Sequence, residues 1–148
     1  MTDTRESREL WAEINSLKRR IDERERREYG MTSAWTDYSA TSTITGWSAF
    51  TTQHIYYLRI GKLVGVVFNL VGTSDSTEAK FTLPYTSAAN PNYRFVIRAI
   101  DNGGTAVAAT GWLTAISNLV TTYADMANTV FTNSGTKYIQ GQFFYSTG

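Results

Sequence analysis

Residues 55–71 read IYYLRIGKLVGVVFNLV, two β-prone runs on either side of the dipeptide Gly61-Lys62. Val, Ile, Tyr and Phe are favoured in strands, and a two-residue connection that begins with glycine suits a type II′ or I′ turn. The stretch therefore predicts an antiparallel hairpin of residues 55–60 with residues 63–71. Its expected cross-strand pairs are Ile60 with Leu63, Tyr56 with Val67, Tyr57 with Val66, and Ile55 with Phe68.

Similar short runs, separated by Gly, Asn, Asp, Ser or Pro, continue to the end of the chain. In residues 93–100 the alternation places Tyr93, Phe95, Ile97 and Ala99 on one face, with Arg94 and Arg98 on the other. About eight strands in roughly 110 residues are typical of an antiparallel β-sandwich or jelly-roll-like head. The other expected strands are 43–47, 78–83, 105–109, 112–117, 119–123 and 137–145.

The first thirty residues have a different character. Residues 4–29 contain neither Gly nor Pro and are rich in Glu, Arg, Leu and Lys, which are good helix formers. Asp3 followed by Glu6 resembles a capped helix start, and Gly30 suits a helix end. We therefore predict two parts, an N-terminal helical oligomerisation and anchor arm (1–30) and a β-sandwich head (31–148).

The apolar residues of the arm follow a heptad pattern, with spacings of four, three and four residues. Ile occupies position a and Leu position d, as in a short parallel coiled coil. The same register places Glu13 opposite Lys18, and Arg20 opposite Glu25, on neighbouring parallel helices, and both pairs are complementary in charge. The predicted oligomerisation residues are Leu10, Ile14, Leu17, Ile21, Glu13, Lys18, Arg20 and Glu25.

Other roles of the arm are less well supported. A solitary amphipathic helix lying on the chain's own body is the main alternative, but its four-residue stripe would bury little apolar surface. Membrane-surface helices and nucleic-acid-binding segments are biased towards Lys and Arg, whereas acidic residues here alternate with Arg19, Arg24, Arg26 and Arg27. We therefore expect neither nucleic-acid binding nor membrane insertion.

The composition excludes several classes of protein. Of 148 residues, 42% are hydrophobic and 18% charged, with a net charge of +1, which excludes wholesale disorder. The chain contains no Cys and one His, so a zinc site is unsupported and no cofactor or metal is expected. The polar start, without an apolar run, predicts a protein that is made in the cytoplasm without a signal peptide.

Catalysis is not expected. His54 would be the only possible base of a Ser-His-Asp arrangement, and no nucleophile elbow is present. Asp75 and Glu78 are close in sequence but lie around a loop, which is a poor arrangement for glycoside hydrolysis. Calcium binding at Asp75 or Asp101 lacks a loop with several carboxylates.

Aromatic side chains and loops are the remaining candidates for binding. Trp35, Trp47 and Trp112 could stack on sugars, although core or subunit-interface positions account for most such residues. A binding function would be expected in the loops at the sheet ends. The candidate loops are 72–77, 86–92, 101–104 and 124–135, and the sequence does not choose among them.

Four segments of the body resemble small β domains at the tips of tailed-phage fibres and receptor-binding proteins. They are YLRIGKLVGV (57–66), GTSDST (72–77) with FTLPY (81–85), and FTNSGTKYIQGQFFY (131–145). The likeness covers roughly residues 43–146. In such proteins an N-terminal helix or shaft trimerises, anchors to the virion and displays three β domains. Arg20-Ile21 with Glu25 also resembles half of a trimer-specifying coiled-coil motif, although Arg24 replaces its expected apolar residue.

The resemblance implies a homotrimeric, non-enzymatic appendage on the virion surface. Its arm would bind other virion proteins, and its head would attach to the host surface, with a cell-surface glycan as a possible receptor. A capsid head fibre or decoration protein with a structural role has the same parts and remains an alternative. A small virion-associated hydrolase is a third and less favoured alternative.

Overall fold

The computed structural model describes the backbone of residues 4–29 and 34–148, and the side chains of residues 7–24 and 34–148. The chain divides into two compact units, Met1–Met31 and Thr32–Gly148. The first contains one helix, α1 (Thr4–Tyr29). No helix in the described part of the chain has the length and apolar character that a membrane crossing requires.

The second unit is a single curled sheet of nine strands, in which every neighbouring pair is antiparallel. The order across the sheet is β1-β3-β4-β9-β6-β7-β8-β5-β2, so the C-terminal strand lies near the centre. The strands are β1 (Thr36–Asp37), β2 (Ile44–Thr45), β3 (Trp47–Ile60), β4 (Leu63–Ser74), β5 (Lys80–Thr82), β6 (Tyr93–Ile100), β7 (Val107–Leu113), β8 (Leu119–Thr122) and β9 (Thr136–Ser146).

The sheet curls until its two halves face each other. β4 and β5 are far apart in the strand order, yet the rings of Phe68 and Phe81 are only 4.8 Å apart between centroids. Both side chains are fully buried. The curl thus encloses one hydrophobic core, to which Phe143 and Phe95 contribute a stacked pair with centroids 3.9 Å apart.

Gly46 is the corner at which the chain passes from β2, at one end of the strand order, to β3, near the other. Its φ of +111° lies in a region that residues with a Cβ rarely adopt. A Cβ at this position would lie 1.9 Å from the carbonyl oxygen of Glu78. Only glycine therefore fits at this connection between β2 and β3.

The structure confirms the predicted hairpin. All four expected pairs occur, and the strands extend beyond the predicted limits to 14 and 12 residues. Gly61 has a φ of +59° and Lys62 does not have a positive φ, which matches a type II′ turn. β6 has its expected bounds, and its inward side chains are those the alternation predicts.

Other sequence expectations need correction. Residues 105–109 and 112–117 were expected to form two strands but contribute to one, β7, which runs through Thr110-Gly111. The ring of Phe95 covers Gly111 so closely that a Cβ there would be 2.2 Å from the ring, so packing selects glycine within this strand. The structure confirms a mainly β protein with an N-terminal helix, but it does not confirm a two-sheet sandwich, a jelly roll or a coiled coil.

Candidate oligomerisation helix and loop cluster

The apolar stripe of α1 is largely exposed in the single chain. Leu10 is 61% exposed, Leu17 47% and Ile21 55%, whereas Ile14 is half-buried. Spacings of four and three residues return each side chain to one face of a helix with 3.6 residues per turn. The helix therefore presents a continuous apolar seam.

The charged residues predicted to flank the seam lie on its two sides. Glu13 and Lys18 are five residues apart, which is about 140° around the helix axis, too far for a pair within one helix. Pairing between parallel helices, which the heptad register predicts for them, stays a prediction. Arg20 is exposed, as are Glu13 and Lys18. The side chain of Glu25 lies outside the described residues, so the Arg20–Glu25 pair stays a prediction.

Trp11 is a member of the seam that the heptad pattern does not identify. Its side chain is 62% exposed, and it precedes Ile14 by three residues, which places the two on the same side of the helix. It occupies an e position, so a search restricted to a and d residues passes over it. The i, i+3 relationship was the available signal, and Trp11 widens the apolar surface near the start of the helix.

Three of the four candidate loops meet at one end of the sheet. The Asp101 carboxylate accepts hydrogen bonds from the backbone N–H and the hydroxyl of Thr132, at 3.0 and 2.9 Å. Ser74 donates its hydroxyl to the carbonyl oxygen of Thr132 at 2.6 Å, and the Phe131 N–H donates to the carbonyl oxygen of Thr77 at 3.2 Å. The first candidate loop, 72–77, needs correction because residues 72–74 belong to β4 and the connection to β5 is 75–79. We call residues 75–79, 101–104 and 124–135 the loop cluster.

The fourth candidate loop, 86–92, lies apart from the loop cluster in the hydrogen-bond network. Ser87 donates its hydroxyl to the carbonyl oxygen of Thr114 at 2.7 Å, and Asn92 accepts from the N–H of Ala115 at 2.8 Å. This loop is thus attached to the β7–β8 connection. The sequence could not group the loops, because the contacts that group them join residues more than twenty positions apart.

A buried lysine holds the loop cluster to the Gly46 corner. Lys137 is fully buried, and its Nζ donates to the carbonyl oxygens of Gly46, Ser76 and Glu78 at 2.8, 2.6 and 2.6 Å. The same nitrogen lies 5.0 Å from the ring centroid of Trp47 and 5.2 Å from that of Phe131. All three N–H groups of the ammonium are used, and the nitrogen is enclosed, which gives this lysine a structural role.

Burial lowers the pKa of Lys137 from its ordinary value of 10.5 to about 8, although the nearby carboxylates of Asp75, Asp101 and Glu78 oppose the shift. Sequence reasoning missed this residue as a functional position. The sequence did contain a signal for it, because side chains of β9 alternate between the two sides of the sheet. Lys137 falls on the same, inward side as Ile139, Phe143 and Tyr145. A charged residue at an inward position predicts a buried hydrogen-bond partner.

His54 lies on β3, whereas the candidate carboxylates Asp75 and Glu78 lie in the loop cluster, which also contains Asp125. His54 is exposed on β3, where its ring lies 5.9 Å from that of Tyr56. Asp125 accepts from the N–H groups of Ala127 and Thr129, both at 2.9 Å, and its hydrogen bonds to Thr129 lower its pKa. Among the side chains of residues 7–24 and 34–148, no group of three His, Asp or Glu could hold a metal ion.

The tryptophans proposed as sugar platforms have different environments. Trp47 is buried in the core and donates its indole N–H to the carbonyl oxygen of Lys137 at 3.1 Å, so it cannot stack on a ligand. Trp112 is partly buried beneath the guanidinium of Arg94, 4.5 Å from its ring centroid. Trp35 is 48% exposed and remains sterically available to a ligand.

Comparison with known proteins adds no family to these observations. No family model matches the sequence, and the curated proteins contain no significant match to it. A proposal for the function therefore rests on the geometry of the helix and of the β unit.

Proposed function

We propose that this protein is a homotrimeric, non-enzymatic appendage of a tailed-phage virion. In this proposal the N-terminal helix forms a short parallel coiled coil and anchors the protein to other virion proteins. The β unit is a sandwich-like head that attaches to the host surface. The observation that carries the proposal is a helix with an exposed heptad seam, joined to a β unit that has its own closed core.

The character of the β unit supports a display role over catalysis. Three loops form the loop cluster at one end of the sheet, and the exposed side chains of Met126 and Val130 lie in it. Loops held by a rigid scaffold are common sites of recognition. We propose the loop cluster as the part of the head that meets the host, with a cell-surface glycan as the receptor class.

Light scattering on the full chain tests the assembly. The expected mass is three times that of the chain, which is 16.6 kDa. A monomer at micromolar concentration would contradict the proposal, whereas a dimer would retain the coiled coil and exclude the trimer. Seam residues with Ile at a and Leu at d do not by themselves demand three strands.

A head fibre or decoration protein of the capsid, with a structural role, is the second candidate. The same exposed seam supports it, because the helix could dock on a capsid as readily as on a tail. Immunogold labelling of intact virions separates the two: label at the tail tip supports the receptor-binding function, and label on the head supports the capsid function.

A further inference from the structure

The outward side of the central strands carries an apolar surface that the core does not use. Ile55 and Phe68 point into the core, so the neighbouring Tyr56 and Val67, which are paired in register, point away from it. We call this surface the apolar face. Its residues are Tyr56, Leu58, Ile60, Leu63, Val67, Val96 and Phe144.

The members of the apolar face are adjacent across four strands. Leu58 pairs with Gly65, and Gly65 pairs with Phe144 on β9. Val67 pairs with Gln142. Val96 is two residues from Arg98, whose register partner is Gln140, so Val96 lies on the same side of the sheet as Gln142. The surface therefore extends from β3 to β6, with the polar Gln142 between Val67 and Val96.

Four of the seven residues of the apolar face are exposed in the single chain, and Tyr56, Leu58 and Val67 are half-buried. Phe144 is 60% exposed, Val96 61%, Leu63 44% and Ile60 41%. An antiparallel sheet with one side in water normally alternates polar residues on that side, but the outward positions of β4 include Gly65, Val67 and Val71. From Leu63 to Val71, four of the five outward positions of β4 are thus apolar or glycine, and Asn69 is the exception.

Phe144 and Gly65 pack closely together within the apolar face. The ring of Phe144 lies across Gly65, where a Cβ would come within 2.7 Å of the ring. Glycine thus lets this aromatic side chain lie against the sheet, which leaves one side of the ring towards the outside. Apolar and aromatic side chains without charges are characteristic of the central part of a subunit interface.

We propose that the apolar face is the surface through which the β units of neighbouring copies pack against each other in the oligomer. This inference rests on the proposed self-assembly and adds a second interface to that of the helix. The seven residues carry no charge, although Arg94 and Arg98 flank Val96 on the same side of the sheet, 4.5 and 5.2 Å from the ring centroids of Trp112 and Tyr138.

Features of the chain identify a second copy as the occupant. The Glu13–Lys18 arrangement is complementary between parallel copies of α1 and so favours association of the chain with itself. Residues 30–35 are all that link the last residue of α1 to the first residue of β1. A tether this short keeps the β units of an assembled helix bundle at high effective concentration.

Thiol labelling tests the proposal in the full chain, which contains no natural cysteine. Val96→Cys places a single thiol on the apolar face. Val130→Cys is the matched control, because Val130 is 57% exposed and lies in the loop cluster. We expect Cys at 96 to react with a maleimide about tenfold more slowly than Cys at 130, since the core of an interface excludes solvent. Ile14→Asp with Leu17→Asp, which should dissociate the helices, should remove most of that difference.

The outcomes separate this inference from the proposed function. An oligomer in which both thiols react at the same rate would overturn the apolar face as an interface and leave the helix-driven assembly intact. A monomer would contradict the assembly itself, and slow labelling at position 96 in a monomer would show that another part of the same chain covers the face. Protection that appears only after a host oligosaccharide is added would also overturn the proposal, because the occupant would then be a glycan.

Discussion

The side-chain nitrogen of Lys137 donates a 2.8 Å hydrogen bond to the carbonyl oxygen of Gly46, ninety-one residues earlier in the chain. This contact joins the central strand β9 to the corner between β2 and β3. The two further hydrogen bonds of Lys137, to Ser76 and Glu78, attach the loop cluster to the same point. The closure of the sheet and the position of its loops thus depend on one buried ammonium group.

Replacing Lys137 with Met should lower the free energy of unfolding by about 3 kcal/mol at pH 7, because buried carbonyl oxygens lose their donors. Denaturant unfolding followed by circular dichroism measures the change. Lys80→Met is the control: Lys80 is partly exposed and bridges to Glu78 at the surface, so its loss should cost less than about 1 kcal/mol. Equal stability of Lys137→Met and the natural protein would refute the structural role.

The lowered pKa of Lys137 predicts a pH dependence. Its pKa is about 8 in the folded state against 10.5 ordinarily, so between these values the unfolded state binds more protons and stability from this group rises with pH. The free energy of unfolding of the natural protein should therefore rise relative to that of Lys137→Met as the pH increases from 8 to 10.5, by at most about 1.4 kcal/mol per pH unit. Below pH 7 the difference should be constant. Comparing the two proteins cancels the other titrating groups, and a difference that fell between pH 8 and 10.5 would contradict the prediction.

Gly46→Ala should destabilise the β unit severely. Its Cβ would lie 1.9 Å from the carbonyl oxygen of Glu78, and its φ of +111° is strained for alanine, so we expect a loss of about 3 kcal/mol or more. Gly103→Ala is the matched control. Gly103 also has a positive φ, of +70°, but no atom lies within 4 Å of the point that an alanine methyl would occupy. This substitution should therefore cost only about 1 kcal/mol. Thermal unfolding distinguishes them, and similar losses would mean that contact with Glu78 does not matter.

Changing Ile14 and Leu17 to Asp should dissociate the oligomer, because each carboxylate would be buried in the helix seam without a partner, at a cost of about 3 kcal/mol or more. The measurement is light scattering across a concentration series.

His54→Ala should change stability by less than about 0.5 kcal/mol, as expected for an exposed strand residue. If His54→Ala abolished function while the fold stayed intact, the enzyme hypothesis would have to be reopened.

Residues 32–148 should fold without the arm but should dock on the virion only with it. The β unit contains its own core, and a domain of this size can fold alone. Binding to host cells should persist, weakened by lost multivalency where the heads separate. Calorimetry measures the folding of the arm-less head, and a cell-binding assay measures its attachment to the host. Reconstitution onto depleted particles measures its docking on the virion. Normal docking of the arm-less head would place the anchor in the β unit.

Local sequence was sufficient where neighbouring residues determine the structure. Gly61-Lys62 and the β-prone runs around it predicted the turn and the register of β3 with β4, because a hairpin forms between adjacent segments. Alternation predicted the bounds and faces of β6. The absence of Gly and Pro from residues 4–29 predicted α1.

Only the tertiary structure decided how these elements combine. The insertion of β9 between β4 and β6, the joining of the sheet at Gly46 and the inward ammonium of Lys137 depend on contacts between distant parts of the chain. Local propensity also failed at Gly111, where a break was expected, because the ring of Phe95 occupies the space that a side chain would fill. Sequence determined the elements through local backbone preferences, whereas their order and closure depended on long-range packing and hydrogen bonding.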